Sequence, residues 1–168
     1  MRLTTYTDYT LRVLMYLGLH QERSATIREI ADAYGISKNH LMKVVHHLGM
    51  AGLVDTVRGR NGGLKLKMRP EEINLGAVIR GSEPDFFIAE CFDTEHNLCV
   101  LSPNCALQGV LHSATNAFLE VLDRNTLAGL LQRTGPMPPA GQIKSAPVRL
   151  RRARKQLPAR PASTPEAG

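Results

Sequence analysis

A helix, a glycine turn and a second helix with a basic outer face, followed by a glycine-tipped pair of alternating strands, predict a mainly α fold built on a winged helix-turn-helix. A long amphipathic helix and a loop carrying all three cysteines follow the wing. The 168 residues therefore divide into three regions: a winged helix-turn-helix over 1–69, a cysteine loop with C-terminal dimerisation helices over 70–133, and a proline-rich basic tail over 134–168.

Each element has its own local cause. Residues 3–20 read as a helix, with Tyr6, Val13, Leu14 and Leu17 on one face and Asp8 and Arg12 one turn apart on its surface. Thr26-Ile27-Arg28-Glu29 is a capping-box pattern, opening a helix to about Ala33. Gly35 supplies a turn, and Ser37 is a candidate cap for the next helix. There Leu41, Val44, Val45 and Leu48 form one apolar stripe, while Lys38, Asn39, His40, Lys43 and His47 face outward. Residues 54–57 and 64–67 alternate apolar and polar side chains as two strands. Between them, Arg58-Gly59-Arg60-Asn61-Gly62-Gly63 offers the backbone freedom of a hairpin. A short helix over 74–80 is expected to end at Gly81, and 82–104 is loop-rich. From Ala106 to about Asp123, Leu107, Val110, Leu111, Ala114, Phe118, Val121 and Leu122 share a face. That is more apolar surface than so small a fold covers by itself, so homodimerisation through this helix is expected. Thr126 to Gln132 reads as a closing helical turn.

Charge is partitioned in the same way. The net +6 arises from 11 Lys+Arg against 5 Asp+Glu in 1–69, 3 against 9 in 70–133, and 7 against 1 in 134–168. The first block fits a polyanion partner and the second does not. Seven of the ten prolines lie beyond Gly135, so the tail is expected to be disordered and to add sequence-independent phosphate affinity. A hydrophobic content of 43% supports a packed core for the rest. The apolar run Val13–Leu19 is too short for a membrane span and follows Arg12 inside a helical pattern, so a cytoplasmic protein with no membrane partner is expected. No nucleotide-binding glycine loop, paired carboxylate site or activated nucleophile is present, which argues against an enzyme.

A basic helix-turn-helix with a basic wing implies double-stranded DNA. Two such units would present residues 37–48 to half-sites of a palindrome about 34–36 Å apart. Asn39, His40 and Lys43 are candidates for base edges or phosphates, Arg60 and Asn61 for the minor groove, and Ser37 and Arg58 for the backbone. Arg28 and Lys38 complete the candidate set.

Cys91, Cys99 and Cys105 are separated by seven and then five residues. Three thiols clustered in a loop fit a core role poorly, and no Cys-x-x-Cys pair supports a zinc ribbon. Soft thiolates here suit an iron–sulfur cluster or zinc about equally, with one position open that His96 could fill. A thiol-oxidation sensor is the third alternative.

The segments Met1–Thr4, Thr7-Asp8-Tyr9, Leu11-Arg12, Tyr34–Leu41, Val57–Gly63 and Ile73–Gly76, with the cysteine triad, resemble the NsrR family of nitric-oxide-sensing repressors within the Rrf2 superfamily. The similarity covers residues 1–133. It implies a homodimeric repressor holding one iron–sulfur cluster per protomer, 4Fe–4S ahead of 2Fe–2S, with nitric oxide as effector. Cys91, Cys99 and Cys105 match that family's thiolate ligands, and the resemblance points to Asp8 as an oxygen ligand given across the dimer. Arg12 would then position that carboxylate and act in coupling. The IscR-like regulators of the superfamily carry a histidine three residues after the third cysteine, where this chain has Gln108.

Overall fold

The computed structural model describes residues 2–59 and 62–135. The expected roles of Arg60, Asn61 and residues 136–168 lie outside the described residues. Helix α1 spans Thr5–Leu19, α2 Ile27–Tyr34 and α3 Lys38–Met50; strands β1 Val54–Val57 and β2 Gly63–Leu66 follow. Helix α4 covers Leu75–Ser82, α5 Ala106–Asp123 and α6 Leu127–Arg133, with single 3-10 turns at Glu90–Phe92 and Ser102–Asn104 in the loop before α5. The fold is thus mainly α, with a winged helix-turn-helix at its N-terminal side and a long helix after the cysteine loop.

Sequence dictates most of the helix starts. The Thr4 hydroxyl accepts the Thr7 amide to begin α1. The Thr4 amide in turn donates to Glu83 Oε1 at 2.8 Å, tying this start to the end of α4. The capping box of α2 is complete: Thr26 Oγ1 accepts from Glu29 N at 3.1 Å, and Thr26 N donates to Glu29 Oε2 at 2.6 Å. Such a cap satisfies orphan amides and is worth about 1 kcal/mol. Gly35 ends α2 with φ 64°, a left-handed conformation in which a β-carbon is strained. Ser37 does occupy the position before α3, but its side chain makes no capping bond.

One core joins the regions on either side of residue 69. Leu14, Ile30, Leu41, Val44 and Leu48 from the three N-terminal helices pack with Leu64 of the wing, Ile73, and Leu127 of α6. The predicted stripe of α3 is this buried face. The wing is antiparallel, Val54 opposite Leu66 and Val57 opposite Gly63. Ala25 and Leu64 exchange both backbone hydrogen bonds, which ties the wing's second strand to the segment leading into α2.

Helix α4 departs from expectation. Gly81 does not end it: Gly81 is not among the positive-φ glycines, and the helix continues to Ser82. The Ser82 hydroxyl donates to the carbonyls of Val78 and Ile79, and Glu83 N donates to Ile79 O, so hydrogen bonds supply the stop that a left-handed glycine would otherwise give. Helix α4 is clamped to the end of α5. Arg80 reaches both carboxylate oxygens of Asp123 at 2.5 and 2.7 Å, and Asn74 Nδ2 donates to the Asp123 carbonyl at 2.6 Å. Gly76 faces this contact so closely that an added Cβ would collide with Asp123 Oδ1.

Helix α5 buries only Thr115; Leu107, Val110 and Val121 are each at least 60% exposed. The expected uncovered apolar face is therefore present in the single chain. Among the described residues no helix is long and apolar enough to cross a membrane.

Candidate nucleic-acid interface and cysteine loop

Four of the predicted DNA-facing residues form the exposed edge of α3. Lys38, Asn39, His40 and Lys43 are all solvent-exposed, while Leu41 and Val44 between them hold the helix in the core. Ser37 precedes them and Arg58 is exposed at the end of β1. Arg28 also faces solvent on α2, but its guanidinium lies 3.9 Å from the Asp32 carboxylate, so its charge is partly offset. In the wing, Lys67 is 3.8 Å from Asp55. Lys38 and Lys43 have no such acidic partner among the described residues. The most available positive charge thus sits on α3.

Helix α1 supports this edge from behind. Tyr9 lies against His40, ring centroids 6.3 Å apart, and Tyr6 meets His47 edge-on at 5.8 Å. His47 Nε2 is also 3.2 Å from the Gly81 carbonyl. His47 therefore joins α1, α3 and α4, although its position on the outer face gave no sign of that. Asp8 and Arg12 form an ion pair on α1 at 2.9 Å, with both side chains roughly half exposed.

All three cysteines are free thiols of intermediate exposure. The loop is anchored to α5 at its first cysteine. Gln108 Nε2 donates to the Cys91 carbonyl at 3.2 Å, while Gln108 N donates to Cys105 O at 3.1 Å. Phe92 stacks on His112 with centroids 6.0 Å apart. Further on, Leu98 N donates to Glu90 Oε1, and Cys99 N to Asn97 Oδ1. Leu98 and Val100, either side of Cys99, are 86% and 91% exposed. Among the described residues no three His, Cys, Asp or Glu side chains are placed to hold a metal ion together. His96, the alternative fourth ligand, is turned instead to Asp93 Oδ2 at 2.9 Å. Gln108 entered the sequence reading only as the absence of a histidine. Its position three residues after Cys105, one helical turn into α5, was the available signal for its bridging role.

Carboxylates outside the loop are held in their charged form. Glu29 is lowered from its ordinary value chiefly by the Thr26 amide, and Asp123 chiefly by its hydrogen bonds from Arg80. These groups are committed to helix geometry and carry no reaction chemistry.

Residues 3–133 match the Rrf2 family, described as iron-dependent transcriptional regulators. The chain belongs to the Rrf2 family. Among its relatives, the HTH-type transcriptional regulator NsrR of Bacillus subtilis is 53% identical over 133 residues, covering 79% of this chain and 91% of that one. NsrR of Geobacillus kaustophilus is 51% identical over 133 residues, covering 79% and 90%. Among solved structures, T. potens IscR superposes with TM-score 0.65 at 25% identity, covering 81% of this chain and 93% of its own. The oxidised form of Staphylococcus aureus CymR gives TM-score 0.65 at 26% identity, covering 81% and 100%. As an Rrf2 protein the chain is a DNA-binding transcriptional regulator, not an enzyme. The match ends at residue 133, where the proline-rich tail begins.

Proposed function

We propose that this Rrf2 regulator is a nitric-oxide-sensitive repressor that binds a palindromic operator as a homodimer carrying one iron–sulfur cluster per protomer. The observation that carries this reading is the state of the three thiols. They are free, accessible and held on a loop outside the core, in a chain about half identical to proteins named NsrR. Thiolates are soft ligands suited to iron–sulfur clusters. The donor set fits: Cys91, Cys99 and Cys105 would supply sulfur, and the partner's Asp8 an oxygen. An oxygen donor is the poorer match and the more labile position. Of the two cluster forms, 4Fe–4S is favoured over 2Fe–2S. Such a cluster supplies iron with which nitric oxide reacts.

The chain's own residues do the rest. The exposed face of α5, with Leu107, Val110 and Val121, offers the apolar surface for a second copy. Lys38, Asn39, His40 and Lys43 meet the major groove, with Ser37, Arg28 and Arg58 on the backbone and Arg60 and Asn61 at the minor groove. Asp8, on the first helix of the DNA-binding unit, joins that unit to the partner's loop. Its release loosens the placement of α3, lowers operator affinity and permits expression in the cytoplasm.

Anaerobic purification with iron and sulfide analysis, followed by titration of a palindromic duplex selected by the protein from random DNA, tests the reading. The loaded dimer is expected to be brown and to lose affinity when treated with nitric oxide. A colourless zinc or apo protein, or equal affinity before and after nitric oxide, would overturn it.

A further inference from the structure

Asp8 and Arg12 are joined to the helix-turn-helix by a residue that none of the roles above uses. Arg12 Cζ lies 5.8 Å from the centroid of the Tyr34 ring, within the range of a cation–π contact. The same ring meets Tyr16 edge-on, centroids 6.1 Å apart at 69°. Arg12 and Tyr16 are one turn apart on α1, so Tyr34 sits in a slot with an arginine at one side and an aromatic ring at the other. Burial raises its phenol above the ordinary tyrosine value, and the Arg12 charge opposes that rise. Tyr34 is also the last residue of α2. Gly35 follows in the left-handed turn, and Ile36 N donates to Ala31 O at 3.0 Å before α3 begins at Lys38. Whatever holds the Tyr34 ring therefore holds the turn that aims the recognition helix.

We propose that Tyr34 is a positioning residue that receives the state of Asp8 through Arg12 and passes it to the helix-turn-helix turn. With Asp8 free, its carboxylate draws the guanidinium to 2.9 Å. With Asp8 engaged elsewhere, the guanidinium loses that partner and bears differently on the Tyr34 ring. Two packed arrangements of one side chain, biased by a carboxylate on the neighbouring turn, are a sufficient coupling element. The direction of the effect on operator binding rests on the reading of Asp8 given under Proposed function; the Asp8–Arg12–Tyr34 link does not.

Two measurements test the link. In the cluster-free full chain labelled with 13C-tyrosine, the Tyr34 resonance, assigned by its loss in Tyr34→Phe, is expected to move in Asp8→Asn. A resonance that stays put overturns the proposal, whatever the cofactor. In the loaded dimer, the readout is the ratio of affinities for the selected duplex before and after nitric oxide. Tyr34→Leu is expected to reduce that ratio about three-fold, the size of one exposed cation–π contact, and Tyr34→Phe to restore it. Tyr34→Leu should add nothing in an Asp8→Ala background. An equal reduction in both backgrounds would mean that Tyr34 merely supports the fold, and would sink the relay. A wild-type ratio of one would refute the proposed function instead, while the resonance still decides the link.

Discussion

Lys43→Ala is the sharpest probe of the DNA-facing edge. Lys43 is exposed on α3 and lacks an acidic partner among the described residues, so its ammonium is available to a phosphate. Each phosphate neutralised contributes about 0.9 to the slope of log affinity against log salt. A dimer carries the substitution twice, so the slope should fall by about 1.8. At 0.1 M salt that is a loss of about 60-fold, or about 2.4 kcal/mol, and between 50 and 200 mM the gap to wild type should narrow about 12-fold. Fluorescence anisotropy on the selected duplex at four salt concentrations measures it. Arg28→Ala is the internal comparison: Asp32 at 3.9 Å already offsets its charge, so the slope should change by less. An unchanged slope in Lys43→Ala would refute the phosphate contact. A loss at one base position with the slope preserved would make Lys43 a base reader instead.

Other tests address the frame behind that edge. Thr26→Ala removes one half of the α2 capping box and should cost about 1 kcal/mol by urea denaturation. Because Glu29 is lowered in the native state, its stabilising contribution is complete above the ordinary value of 4.5 and is lost as pH falls through the native value. The urea midpoint of wild type should therefore drop in acid by more than that of Glu29→Gln. Gly76→Ala places a methyl against Asp123 Oδ1 and should destabilise by about 1–3 kcal/mol, and Asp123→Ala combined with it should recover part of the loss by removing the obstacle. Deleting 136–168 removes seven basic residues, and should lower affinity for random duplex and its salt dependence while preserving operator preference.

What the sequence disclosed depended on how locally each feature is encoded. The α3 stripe, the Thr26–Glu29 cap and the turn at Gly35 are written within one or two helical turns, and the structure matches them. The Arg80–Asp123 clamp spans 43 positions, and no periodicity connects its two halves. Gly81 misled because glycine permits a helix stop without compelling one; the Ser82 hydroxyl and the Glu83 amide decide where α4 ends. In the loop, residue type announced soft-metal chemistry, but the mutual placement of three thiols has no local code. Gln108 has a helical position that could be read, yet its bond to the Cys91 carbonyl depends on how a 17-residue segment closes.

That closure bears on how a sensor can share a chain with a stable DNA-binding core. The described cysteine loop has no buried residue between Cys91 and Cys105, and the interactions found across it are single hydrogen bonds and one aromatic stack. Segments with so little buried apolar surface open at far lower free energy than the core. Rearrangement there can proceed while Leu14, Ile30, Leu41 and Leu48 remain packed. A signal from the loop must then reach α3 through a surface route, because the core resists continuous deformation. Helix α1 offers that route: Asp8 and Arg12 lie on its exposed side, and Tyr6, Tyr9 and Tyr16 contact α3 and α2 at four aromatic or histidine rings. The arrangement lets affinity change by reorienting a folded unit, with no need to unfold it.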